Sequence, residues 1–125
     1  MKTKLSDGEW ALMKVLWKAS PMTITQLTAA LKEETGWSKS TVITMLSRLE
    51  AKGAVRHEDG LRAKQYYPLI RREDTARAET ESFLSRVYGG SLGLMMSAMV
   101  DSHALTEEDI AQLSAILDKA KEDGR

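Results

Sequence analysis

Ser38-Lys-Ser-Thr-Val-Ile-Thr-Met-Leu-Ser-Arg-Leu-Glu-Ala-Lys-Gly53, followed at once by Ala54-Val-Arg-His-Glu-Asp-Gly-Leu-Arg-Ala-Lys-Gln-Tyr-Tyr-Pro68, is the stretch that decides the fold. In its first half Val42, Met45, Leu46 and Leu49 recur at i, i+3, i+4 and i+7, which predicts a helix from Ser38 to Gly53 with one narrow buried face. At about 100° per residue, Ser40, Thr44, Ser47 and Ala51 lie opposite that face. Thr41 and Arg48 flank it on one side, Lys39 and Ile43 on the other. Solvated helix faces are usually filled with long Glu and Lys side chains that keep other surfaces away. A face of short hydroxyls with a cation on each flank lets a second surface approach the backbone. The second half reads as two short strands reversed at Asp59-Gly60 and closed by Pro68, with Arg56, Arg62 and Lys64 making the hairpin basic near its tip.

Working outward, Ser6 to Ala19 is expected to be helical. Ser6 is placed to cap, Asp7 and Glu9 suit the positive end of the dipole, and Trp10, Met13, Leu16 and Trp17 form an apolar stripe. Ser20-Pro21 ends it. A shorter helix follows Thr23, carries Ile24, Leu27 and Leu31, and stops at Gly36. Beyond Leu69 the β signals vanish. Asp74 to Tyr88 is expected to be helical, with Ala76, Thr80, Phe83, Leu84, Val87 and Tyr88 on one side, and Gly89-Gly90 breaks it. Leu92 to Val100 is short and mostly apolar. A last helix starts at Thr106-Glu-Glu-Asp109, resembling a capping box, and carries Ile110, Leu113, Ile116 and Leu117. Three helices, a hairpin and three further helices give a mostly α chain with a small β-hairpin wing. Residues 1–70 read as a winged helix-turn-helix domain and residues 71–125 as a three-helix domain.

Composition bounds the chemistry. The 125 residues include no cysteine, which removes disulfides, thiolate nucleophiles, zinc fingers and iron–sulfur clusters. No apolar run approaches the roughly 18 residues of a membrane span, and the N-terminus lacks the apolar stretch of a signal peptide, so a cytoplasmic protein without membrane insertion is expected. Eighteen basic and eighteen acidic residues cancel to a net charge of zero, but not evenly. Residues 1–70 carry 11 basic against 7 acidic side chains, and residues 71–125 the reverse, a split of +4 and −4 that points the first half at an anionic partner.

The sequence resembles the penicillinase-repressor family, the dimeric regulators of β-lactamase and methicillin-resistance genes. The resemblance rests on Leu5-Ser-Asp-Gly-Glu-Trp-Ala-Leu-Met-Lys-Val-Leu-Trp17, on Ser40-Thr41-Val42 and Leu46-Ser47-Arg48-Leu49, and on Lys52-Gly53. It continues through Phe83-Leu-Ser-Arg-Val-Tyr-Gly-Gly-Ser91 and the helix from Leu105 to Leu113. It implies a DNA-binding N-terminal domain, a helical C-terminal dimerisation domain, and a palindromic operator bound by the homodimer. It also implies cleavage by a membrane sensor protease in the C-terminal region, which rough alignment puts near Ser97 and Ala98. Members with that response often carry an Asn-Phe pair there, and this chain does not. A copper-responsive branch uses a C-terminal cysteine cluster, which is absent here.

On this reading Lys39, Ser40 and Thr41 contact phosphates at the helix N-terminus, and Arg62 and Lys64 reach a neighbouring backbone or the minor groove. Thr44 and Ser47 face base edges, and Ile43 is placed to meet a thymine methyl. Relatives often have a polar or basic residue at that last position, so their operators need not be this chain's. Arg48 binds either a guanine or a phosphate, unless Glu50 or Glu9 takes it first. Trp37 either packs or contacts the DNA backbone. Phe83, Leu84, Val87, Tyr88, Leu92, Met95, Met96, Met99, Ile110, Leu113 and Leu117 are the expected dimerisation surface. Two sequence patterns suggest other chemistry and fail. His57-Glu58-Asp59 alternates faces in a strand, and Asp101-Ser102-His103 is too local to form a hydrolase triad. With no phosphate loop, paired-acid pocket or HExxH, no enzyme, cofactor or metal is expected. Two rivals keep the fold: a ligand-responsive regulator with a pocket at Met95–Met99, and a winged helix used as a protein-interaction module.

Overall fold

The computed structural model describes residues 4–124. The order is α1 (Asp7–Lys18), α2 (Ile24–Thr35), α3 (Lys39–Ala51), β1 (Val55–Asp59), β2 (Lys64–Pro68), α4 (Arg72–Tyr88), α5 (Leu92–Asp101) and α6 (Glu107–Glu122). The chain divides into two compact units between Thr80 and Glu81, a point within α4.

α1, α2 and α3 each start where a short oxygen-bearing side chain caps them. Ser6 accepts from the Glu9 N–H while the Glu9 side chain accepts from the Ser6 N–H, and Thr23 and Gln26 repeat this reciprocal pair. Ser38 accepts from the Thr41 N–H at the start of α3. α2 ends at Gly36, whose φ of 68° is the left-handed conformation that an L side chain resists.

The core sits among α1, α2, α3 and the root of the hairpin. Leu12, Met13, Leu16, Leu27, Leu31, Leu46, Leu49, Val42 and Val55 are fully buried, joined by Ala54 and Tyr66. All four expected apolar positions of α3 are inside. The stripe on α1 departs from expectation. It is centred on Leu12, Met13 and Leu16, while Trp10 and Trp17 are half-buried at its edge, their rings meeting edge to face at 5.7 Å. Trp17 is held there because its indole N–H donates to the Ile70 carbonyl at 2.9 Å.

β1 and β2 pair antiparallel from Val55↔Pro68 to Asp59↔Lys64. Asp59 therefore closes the ladder, and the reversal takes four residues, Gly60 to Ala63, where the Asp59-Gly60 signal suggested a tighter turn. The Gly60 N–H donates to the Ala63 carbonyl at 3.0 Å, and a Cβ on Gly60 would lie 2.5 Å from that same oxygen. The hairpin is anchored by a third segment, because Met22 and Tyr66 exchange two backbone hydrogen bonds at 3.2 and 2.9 Å.

In the second unit α5 begins at an Ser91 cap and α6 at a Thr106–Asp109 capping box. Neither helix contains a buried residue. Phe83, Val87, Leu92, Leu94, Val100, Ile110, Ile116 and Leu117 all stand exposed. Between α5 and α6 lies a groove of about 420 Å³ lined by Met95, Met96, Met99, Leu113 and Ile116 with Asp109 and Gln112. No helix among the described residues is long and apolar enough to cross a membrane.

Candidate nucleic-acid interface

The face of α3 opposite the core carries Ser40, Thr44, Ser47 and Ala51, all exposed, with exposed Lys39, Ile43 and Arg48 beside them and Thr41 half-buried. At the N-terminal turn the Ser38 hydroxyl lies 3.1 Å from that of Ser40 and 3.2 Å from that of Thr41. One turn on, the Thr44 O–H donates to the Ser40 carbonyl at 3.1 Å, which leaves its lone pairs free to accept. Among the described residues the Ser47 hydroxyl has no hydrogen-bond partner. Arg48 forms no ion pair among them either, since both carboxylates that compete for it are taken.

Glu9 is one of those carboxylates. It is 2% exposed and bonded to the Lys52 ammonium at 2.5 Å, and that ammonium also donates to the Lys4 carbonyl at 2.9 Å. Burial pushes the Glu9 carboxyl up. The bond from Lys52, the Ser6 N–H and the nearby positive charge together outweigh burial and hold the group below the ordinary value of 4.5. The pair ties the start of α1 to the residue just past the end of α3. The other carboxylate, Glu50, lies 2.6 Å from His57 Nδ1 on β1, and the His57 ring packs against Tyr66 at 5.5 Å. Burial, with the Glu50 charge adding to it, pushes the Tyr66 phenol above its usual value and keeps it neutral.

On the wing the three expected cations separate into two kinds. Arg56 is spent internally: it bonds Glu58 at 2.6 Å and lies 4.2 Å over the Tyr67 ring, and the Tyr67 hydroxyl donates to Glu58 at 3.4 Å. Arg62, in the four-residue turn, and Lys64, opposite Asp59, are exposed and have no ion pair among the described residues. Leu61 stands fully exposed between Gly60 and Arg62. Trp37 packs on the core and sits over Gly8, where an added Cβ would come within 3.2 Å of its ring, so its role is packing.

The sequence does not show that Glu9 meets Lys52 or that Glu50 meets His57. The capping pattern Ser6-x-x-Glu9 was visible, but nothing local marks a glutamate whose counter-ion lies 43 residues away. Asp101, Ser102 and His103 close α5 as a turn, with His103 at φ 57°.

A three-helix core, an exposed hydroxyl-rich third helix and an adjoining basic wing define a winged helix-turn-helix, the architecture of DNA-binding regulators. The penicillinase repressor family model matches residues 5–119, and the chain belongs to that family, whose members are transcriptional repressors and not enzymes. The penicillinase repressor of Bacillus licheniformis is 36% identical over 118 residues, spanning 94% of this chain and 92% of that protein. The methicillin resistance regulatory protein MecI of Staphylococcus aureus is 25% identical over 116 residues, 93% of this chain and 94% of that protein. Among solved structures, the monomeric form of Bacillus licheniformis BlaI in complex with the blaP half-operator superposes with a TM-score of 0.52 at 38% identity. It covers 59% of this chain and 93% of that one.

Proposed function

We propose that the chain is a homodimeric, sequence-specific repressor whose N-terminal domain, residues 1–70, reads one half of a palindromic operator. The observation that carries this is the exposed face of α3, where short hydroxyls lie between two cations, Lys39 and Arg48, that form no ion pair among the described residues, in a family of DNA-binding repressors. Lys39, Ser40 and Thr41 hold phosphates at the helix N-terminus, assisted by Arg62 and Lys64 on the wing. Thr44 accepts from an exocyclic amine of adenine or cytosine, Ser47 bonds a base edge, and Ile43 meets a thymine methyl. Arg48 contacts DNA as a base reader or a phosphate clamp.

Residues 71–125 serve dimerisation. Phe83, Leu84, Val87, Tyr88, Leu92, Met95, Met96, Met99, Ile110, Leu113 and Leu117 are exposed or half-exposed, and helices so apolar do not remain bare in water. Two-fold symmetry then sets half-sites one or more turns apart, each about 10 base pairs. Release by a membrane sensor protease requires access at Ser97 and Ala98. Both lie within α5, so cleavage there needs local unwinding. These activities belong in the cytoplasm.

In vitro selection from a randomised duplex pool, followed by affinity measurements from 50 to 300 mM salt, tests the reading. A palindrome bound with steep salt dependence is expected; a salt-independent affinity overturns it. The groove between α5 and α6 favours a second reading, in which an apolar small molecule controls the repressor. A thermal-shift screen with antibiotics distinguishes it from proteolytic control. A purely protein-binding winged helix is disfavoured by the polar, cation-flanked face of α3.

A further inference from the structure

The root of the wing is fixed by backbone. The Ala54 N–H donates to Leu49, the Leu69 N–H to Ala54, and Tyr66 pairs with Met22. Beyond the His57↔Tyr66 rung come Glu58, Asp59, the turn with Arg62, then Lys64 and Gln65. Among the described residues, one side-chain link joins this outer arm's inner edge to the recognition helix: His57 Nδ1 to Glu50, 2.6 Å apart. Glu50 belongs to the last turn of α3, two residues past Arg48. His57 alternates with Arg56 and Glu58 along β1, so it faces the core side while the Arg56–Glu58–Tyr67 group occupies the other face.

We propose that His57 is a positioning residue for DNA binding: its Nδ1–H, bonded to Glu50, sets the tilt of the wing against α3 and so places Arg62 on the DNA. The inference rests on the DNA-reading assignment above and adds to it a residue that need not touch DNA. A hairpin pinned only at its root pivots there, and a small rotation at His57 is magnified at a turn several residues further out. A second consequence concerns charge. A carboxylate on the last turn of a DNA-facing helix repels phosphates when free, and the bond to His57 holds it on the protein.

The test is a double-mutant cycle with Arg62, read as the affinity of full-length protein for the duplex that wild type selects from a randomised pool. His57→Phe keeps a ring against Tyr66 but has no donor. His57→Asn places an amide N–H where Nδ1 stood. We expect His57→Phe to weaken binding about three- to tenfold, His57→Asn to bind within twofold of wild type, and Arg62→Ala to cost wild type more than it costs His57→Phe. If His57→Phe fails to fold, Glu50→Leu removes the same bond from the other side and is expected to lower the cost of Arg62→Ala likewise. Equal Arg62→Ala losses in both backgrounds overturn the inference, because a purely electrostatic or stability effect is additive. So does a His57→Asn protein as weak as His57→Phe. A wild-type chain that selects no sequence at all overturns the DNA reading itself, a result distinct from either.

Discussion

The Glu9 carboxylate and the Lys52 ammonium meet at 2.5 Å with Glu9 withdrawn from water, joining the first turn of α1 to the end of α3. Lys52 is partly exposed, so the attraction is screened on one side only. Removing the cation leaves a buried carboxylate held by Ser6 alone. Lys52→Met should therefore cost about 2 kcal/mol in urea unfolding, less than the loss of a fully buried pair. An unchanged midpoint would show that the pair contributes nothing.

The same carboxyl makes stability depend on acid. Its folded value lies below the ordinary 4.5, so the native state binds its proton less readily than the unfolded chain. The contribution is fully present above the unfolded value and is lost as pH falls through the folded one. Unfolding measured from pH 6 to pH 3 should show stability falling, and Glu9→Gln should have a flatter profile over that range. Parallel profiles would remove Glu9 from the account.

Gly36→Ala isolates a backbone cost. Nothing lies within 4 Å of a Cβ built there, yet φ is 68°. The substitution should destabilise by about 1 kcal/mol through left-handed strain alone, seen as a lower Tm with DNA contacts unaltered.

Phosphate and base contacts separate by their salt behaviour. Lys39→Ala should weaken binding to every sequence and reduce the slope of log affinity against log salt by about 1. Ile43→Ser should leave the slope alone and relax preference at one base pair by about 1 kcal/mol. The opposite pattern would exchange their roles.

Dimerisation is tested at Leu113, half-buried beside Met95 and Met99 in the α5–α6 groove. Leu113→Arg should weaken self-association by at least 2 kcal/mol, roughly thirtyfold, by sedimentation equilibrium. A variant that sediments as wild type would remove Leu113 from the proposed dimer interface.

Much of the fold was legible because its determinants are local. Ser6, Thr23, Ser38 and Thr106 each announce a helix within three residues, and Val42, Met45, Leu46 and Leu49 declare their face by spacing alone. What spacing does not encode is partnership across the chain. Trp17 was assigned to the apolar stripe, whereas its indole is positioned by a carbonyl 53 residues on. Arg56 reads as one of the cations that make the hairpin basic, whereas β1 brings Glu58 and β2 brings Tyr67 to it. His57 was weighed with the carboxylates next to it, while its partner Glu50 lies seven residues back on another element.

The exposed face of α3 has one further consequence. Among the described residues the side chains of Ser47 and Arg48 form no bond within the domain, and Ile43 and Thr44 lie outside its core. On the proposed DNA reading, substitutions there would alter recognition at little cost to folding, which leaves operator preference separable from the scaffold beneath it. Two repressors of this architecture can thus share a core and regulate different genes, separated by a handful of exchanges along one helix.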